Sequence, residues 1–211
     1  MKLSEWQKTV KPRSCLIYNA SNQDGLDGTV PFPIGMGYNY VLFDGTTEEA
    51  QLGSHERDVI CAVSPWTDTA RRKLKSRLVI IKNLDNNGIK NISLDPKVYF
   101  QELPKYKFVI SPEGNGIDCH RHYEALMAGC IPIIERNNHI EQKYRGCPIL
   151  WTTDYSEITI PYLNQKYEEM IDSIYDFRCL YLETYSPELQ RQIKLNGNFW
   201  GNRLTGKIWY N

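Results

Sequence analysis

Apolar and polar positions along the chain fall into short blocks, and the blocks read as buried strands separated by helices. The clearest runs from Lys107 to Ile134, KFVISPEGNGIDCHRHYEALMAGCIPII. Phe108, Val109 and Ile110 form a short apolar run of the kind a buried strand shows. Ser111 to Asp118 holds Pro112, Gly114 and Gly116, so the chain turns tightly there. Asp118 is placed to cap a helix running from Cys119 to Ala128, and Gly129 stands where a left-handed C-terminal cap belongs. Cys130, Ile131, Ile133 and Ile134 supply a second buried strand. Two buried strands joined by a helix are most readily parallel, with a right-handed crossover.

The same alternation continues on both sides. Upstream, strands are predicted at 14–19, 38–43, 58–63 and 78–81, with helices at 46–52 and 65–75. Residues 20–37 are rich in Gly, Pro, Asn and Asp and read as a long loop, a length usually tied to function. The polar stretch 83–90, NLDNNGIK, is the best domain boundary. Downstream, a helix beginning at Pro96 leads into the 108–110 strand, 135–139 forms the next strand-to-helix loop, and 148–151 is a further buried strand. Residues 161–176 form an amphipathic helix with Leu163, Tyr167, Met170, Ile171 and Ile174 on its core side. Residues 178–195 form further helices broken at Ser186-Pro187, and the tail carries Phe199, Trp200, Trp209 and Tyr210. That tail is apolar enough to form an interface. The expected fold class is α/β: two small Rossmann-like parallel-sheet domains, 1–90 and 91–211, with helices on both faces.

Composition narrows the class. The 211 residues are 41% hydrophobic and 24% charged, ordinary for a globular chain. Lys+Arg and Asp+Glu are 25 each, so formal net charge is zero, which argues against general nucleic-acid binding. The first residues are too polar for a signal peptide, and no apolar run approaches the roughly 20 residues of a membrane span. The six cysteines show no CxxC spacing, and several sit in apolar runs, so buried reduced thiols and a cytoplasmic location are expected.

The chemistry concentrates at the start of the 119–128 helix. Loop residues Ser111, Glu113, Gly114, Asn115, Gly116 and Asp118 let the backbone approach a ligand closely. A helix N-terminus offers N–H groups and partial positive charge, which suits phosphate. Arg121 lies in the first turn and can fork onto phosphate oxygens. Glu124, one turn on, can accept ribose hydroxyls, and His120 can touch substrate at the helix start. The competing reading is a loop packed for its own sake, with Arg121 and Glu124 as a simple surface pair.

The stretch 111–134, preceded by YKFVI, resembles the donor-binding half of exostosin-like (family 47-type) glycosyltransferases of the GT-B fold. A second match follows at 147–159, CPILWTTDYSEIT. The resemblance covers residues 96–172, under half of the chain. It implies a metal-independent glycosyltransferase that moves a sugar from a nucleotide-sugar donor, UDP-linked, to a glycan or other hydroxyl acceptor with inversion. Arg121 would then lie near the diphosphate, Glu124 near the ribose, and Thr153, Tyr155 and Ser156 beside the donor. No further cofactor is implied. In such enzymes the general base usually comes from the N-terminal domain, where Asp24, Asp27, Asp44 and His55 are candidates at predicted loop positions. Asp in a Gly/Asn/Pro loop is more often a turn residue. The first half, about 95 residues, is short for such a domain, which keeps open a non-catalytic nucleotide- or glycan-binding module that partners a larger transferase.

Two look-alikes are set aside. GNRLTGK at 201–207 resembles a phosphate loop, but Ile208 stands where a magnesium-binding hydroxyl is needed. His120 and His122 are two apart and point to different sides of a helix, so they do not make a metal pair. The chain has no Asp-x-Asp, the motif by which metal-dependent transferases hold a divalent ion on diphosphate.

Overall fold

The computed structural model describes residues 1–3, 5–6, 17, 31–38, 55–68, 72 and 76–210. The expected strands at 14–19 and 38–43 and the helix at 46–52 lie essentially outside these residues, as does most of the 65–75 helix. The described chain is α/β, built on a four-stranded parallel sheet. Its strands are β1 (Arg57–Ile60), β2 (Tyr106–Ile110), β3 (Ile131–Glu135) and β4 (Leu150–Thr152), ordered β1-β2-β3-β4. The register pairs Val59 with Phe108, Phe108 with Ile131, and Ile133 with Leu150. Phe108, Ile110, Ile131 and Ile133 are fully buried, which fits the unbroken apolar runs that parallel strands carry.

Helices connect the strands: α1 (Arg77–Asn86) and α2 (Pro96–Glu102) after β1, α3 (His120–Met127) after β2, α4 (Asn138–Lys143) after β3. After β4 come α5 (Ile160–Ile171) and α6 (Pro187–Thr205). The side chains of Asp95, Asn137, Thr159 and Ser186 cap α2, α4, α5 and α6. Gly129 has φ 76°, the left-handed conformation expected where α3 ends and β3 begins.

Three expectations are corrected. Residues 78–81 are the first turn of α1, not a strand. A run such as LVII has no helical period within four residues, and its class is decided by what it packs on. Here Ile80 and Leu84, one turn apart, go into the core, and the Asp68 carboxylate accepts the Arg77 N–H at 3.0 Å to start the helix. The boundary drawn at residue 90 falls between β1 and β2 of one sheet, so the described strands do not divide there. The helix predicted over 161–176 stops at Ile171, and Ile174 is exposed. The C-terminal tail folds back on α6: the Asn198 side chain accepts the N–H groups of Trp209 and Tyr210 at 2.9 and 2.8 Å. The GNRLTGK look-alike is the end of α6, with Gly206 at φ 70° as its cap. Among the described residues, no helix is long and apolar enough to cross a membrane.

One side chain ties three distant parts of the chain together. The fully buried Tyr123 hydroxyl on α3 accepts the N–H of Ile17 at 3.1 Å and donates to the carbonyl of Leu180. Trp6 adds a second tie, donating its indole N–H to the Leu126 carbonyl and stacking on Phe177. Tyr123→Phe removes the hydroxyl but leaves its two buried backbone partners in place. We expect a loss of roughly 2 kcal/mol or more in urea unfolding, since each orphaned group carries its own desolvation penalty.

Candidate functional site

The glycine-rich loop is organised around a protein cation. Arg77, at the start of α1, is 4% exposed. Its guanidinium donates to the carbonyls of Glu113 at 2.8 Å, Pro112 at 3.1 Å and Ser64 at 3.3 Å. A Cβ on Gly114 would stand 3.0 Å from Arg77 Nη2, so this glycine is needed for an arginine to pass. The loop's own N–H groups are engaged as well. Glu113 N–H meets the Glu135 carboxylate at 3.1 Å, and Gly114 N–H meets the Gly116 carbonyl at 3.0 Å. Arg72 closes this edge, 2.7 Å from Glu135 and 3.6 Å from Glu113. An internal carboxylate and guanidinium thus fill the carboxyl ends of β2 and β3, where open α/β sheets usually receive a ligand.

Asp118 is not the helix cap. Its carboxylate is buried against Lys143 Nζ at 3.1 Å, the Tyr144 hydroxyl at 2.9 Å and the Ile34 N–H at 3.0 Å. Cys119 takes the cap position, and no side chain caps the helix. Asn115 and Gly116 are exposed on the far side of the loop. Ser111 is buried and hydrogen-bonds His122 Nδ1 at 2.7 Å.

The cavity lies one strand over. It has a volume of about 570 Å³ and sits beyond the carboxyl end of β1, between Ala62–Pro65, the start of α2 and the first turns of α3. From α3 it receives Cys119, His120, Arg121 and Glu124. Arg121 donates through Nη2 to the Ala62 carbonyl at 2.8 Å and lies over the Tyr99 ring at 5.7 Å. Its Nε and the Tyr99 hydroxyl are buried with no well-formed hydrogen bond. Burial opposes the charge on Arg121, but Tyr99, Cys119 and Glu124 more than offset it and hold the guanidinium above its ordinary pKa. Glu124 is 8% exposed. Burial pushes its carboxyl above the usual range, against His120, Arg121 and a hydrogen bond from Gly37. His120 Nδ1 meets the Gly35 carbonyl at 2.9 Å.

The sequence-predicted residues therefore separate. His120, Arg121 and Glu124 come together in the cavity wall. Ser111, Glu113, Gly114, Asn115, Gly116 and Asp118 do not line it. Neither do Thr153, Tyr155 and Ser156: the Tyr155 hydroxyl donates to the Ile133 carbonyl at 2.9 Å inside the core, while Thr153 and Ser156 are exposed. Asp154 caps the turn at 155–157. Asp24, Asp27 and Asp44 lie outside the described residues. His55 is described, and it precedes β1 at the opposite, amino end of the sheet. Its Nε2 meets the Gly129 carbonyl at 3.0 Å and its Nδ1 the Tyr167 hydroxyl at 2.7 Å. A carbonyl only accepts, so Nε2 carries the proton and Nδ1 accepts from Tyr167. Sequence reasoning missed Tyr99 and Ala62 in the wall; neither residue type signals a ligand by itself.

A scan against protein-family models finds no match to the chain, and a search of curated proteins finds none either.

Two stability predictions follow from these contacts. Asp118→Ala removes the carboxylate 3.1 Å from the buried Lys143 ammonium and the acceptor of the Tyr144 hydroxyl and the Ile34 N–H, and should cost about 3–5 kcal/mol in chemical unfolding. Burial lowers the His55 pKa to about 4, so the unfolded chain binds this proton more readily than the folded one. Its contribution is complete above about pH 6.5 and is lost as pH falls toward 4, by up to ~3 kcal/mol. His55→Gln should flatten that limb of the stability–pH curve, measured by thermal melting between pH 4 and 7.

Proposed function

We propose that the chain is a nucleotide-sugar-dependent glycosyltransferase of the exostosin-like kind, with the described sheet as the donor half of a GT-B fold. One observation carries the reading: Arg121 and Tyr99, buried and bonded to each other only weakly, belong to the wall of a cavity at a helix N-terminus. Buried polar groups are nearly always well satisfied, so an under-bonded guanidinium beside a cavity is where an anionic ligand would add hydrogen bonds. The ligand that suits a guanidinium and open helix N–H groups is a diphosphate. Glu124, one turn deeper, suits ribose hydroxyls, and more readily as a hydrogen-bonding carboxyl than as a bare charge.

In this reading the reaction is inverting displacement at the anomeric carbon, with Arg121 and the helix N-terminus stabilising the departing diphosphate. UDP is the nucleotide and a glycan hydroxyl the acceptor, both carried by the resemblance. The position of His55 favours a second reading, a nucleotide- or glycan-binding module that partners a larger transferase, because it removes the one described base candidate from the cavity side. The two readings differ in turnover: only the first releases UDP from a UDP-sugar when acceptor is supplied.

Thermal shift with UDP, GDP, ADP and a panel of UDP-sugars tests the shared core of both. We expect UDP or one UDP-sugar to raise the melting temperature, with or without chelator. Arg121→Ala should weaken that binding about 10- to 100-fold, the value of a charge-assisted hydrogen bond, and Glu124→Gln less. No shift with any nucleotide, or equal affinity in Arg121→Ala and Glu124→Gln, would remove the assignment.

A further inference from the structure

The side chain that opens α3 has a chemistry that sugar transfer does not use. Cys119 is half-buried and forms part of the cavity wall. Its sulfur lies 3.4 Å from Nδ1 and 3.6 Å from Nε2 of His122, nearly equidistant, so it rests against the imidazole face rather than in line with either nitrogen. The ring is held in place from both ends. Nδ1 meets the Ser111 hydroxyl at 2.7 Å and Nε2 meets the Ile117 carbonyl at 3.3 Å. His122 is fully buried and cannot swing away. The sulfur also stands at the cap position of a helix that no side chain caps.

We propose that Cys119 is a modification site: a thiolate nucleophile, oriented by Ser111 and His122, that reacts with soft electrophiles entering the cavity beside Arg121. With an alkyl iodide, the sulfur forms a bond to carbon as the carbon–iodine bond breaks and iodide leaves with the electron pair. With hydrogen peroxide, the sulfur bonds to one oxygen as the O–O bond breaks. The sulfur is oxidised by two electrons to sulfenic acid, and the departing hydroxide takes up a proton to become water. Either product would put bulk at the mouth of the Arg121 site.

The electrostatics agree with the geometry. The groups around the sulfur are His122 and Arg121 from α3, Arg77 from α1, the Tyr144 and Tyr155 hydroxyls, and the Pro112 carbonyl, which accepts from the thiol at 3.6 Å; Asp118 acts one step removed, on His122. Burial opposes ionisation of Cys119, but His122, Arg121 and Arg77 outweigh it and bring the thiol below its usual range. The other buried thiols go the opposite way: burial pushes Cys61 up to about 12 and Cys130 higher still. Cys147, whose sulfur touches that of Cys179 at 3.4 Å, is also raised.

The test is alkylation of the intact, reduced chain with limiting iodoacetamide, with sites read by peptide mass spectrometry from pH 6 to 8. We expect Cys119 to be modified before Cys61, Cys130 and Cys147, at a rate that falls less steeply toward pH 6 than that of an ordinary thiol. An ordinary thiol loses nearly 100-fold between pH 8 and pH 6, because its thiolate fraction falls that far. His122→Asn should return Cys119 to the ordinary profile; where that variant melts early, the profile of the parent chain decides alone. Slower labelling of Cys119 than of the buried thiols, or an ordinary pH profile in the parent chain, would overturn the proposal. Labelling does not depend on the nucleotide reading. A reactive Cys119 without any nucleotide-induced thermal shift supports this site and removes that function, whereas a shift with an inert Cys119 does the reverse.

Discussion

The buried guanidinium of Arg77 is the constraint on which the rest of the ligand side depends. It comes from the start of α1, and its hydrogen bonds end on Ser64 after β1 and on Pro112 and Glu113 after β2. Burial lowers its pKa, opposed by Cys119, Asp68 and Glu135, and the three carbonyls offset the cost of burying its charge. By drawing the 111–118 loop over itself, it sets where the chain leaves β2 and where α3 begins. The position of Cys119 and the first turn of α3, with His120 and Arg121, follows from that course. The cavity chemistry is therefore downstream of a structural ion and not of the loop's glycines acting on a ligand.

This explains which parts were legible in the sequence. The strand–loop–helix–strand unit was, because a buried parallel strand and an amphipathic helix leave unmistakable periods, and Gly129 marks the break between them. Arg121 and Glu124 were legible for a related reason: residues one turn apart share a helix face whatever surrounds them. The loop residues were misread because a glycine that admits a phosphate and a glycine that admits an arginine look identical. Only the partner distinguishes them, and Arg77 lies 37 residues upstream of Gly114. The helix at α1 was misread as a strand for a similar reason: four apolar residues carry no period, and the carboxylate that starts the helix, Asp68, lies outside the run.

Asp118 and Tyr155 show the same limit from the polar side. A carboxylate before a helix and a hydroxyl after a strand are both plausible ligand groups, and both are consumed by internal partners. Asp118 serves Lys143, Tyr144 and Ile34, and Tyr155 serves the β3 backbone. Burial with complete hydrogen bonding marks them as structural, since a ligand would have to replace contacts already made at full strength. Arg121 and Tyr99 differ from these two in being buried, incompletely bonded and part of the cavity wall; Arg72 and Glu135 at the loop edge are also incompletely bonded but do not line that cavity.

That difference also orders the groups in the cavity. Neighbours offset the desolvation of the buried Arg121 guanidinium, and here Tyr99, Cys119 and Glu124 share that role. An incoming anion would take over part of it. The hold of Arg121 on Glu124 and on the Cys119 sulfur would then weaken, favouring the protonated carboxyl and the neutral thiol. Anion binding there and proton uptake at these two side chains would accordingly be linked through one arginine.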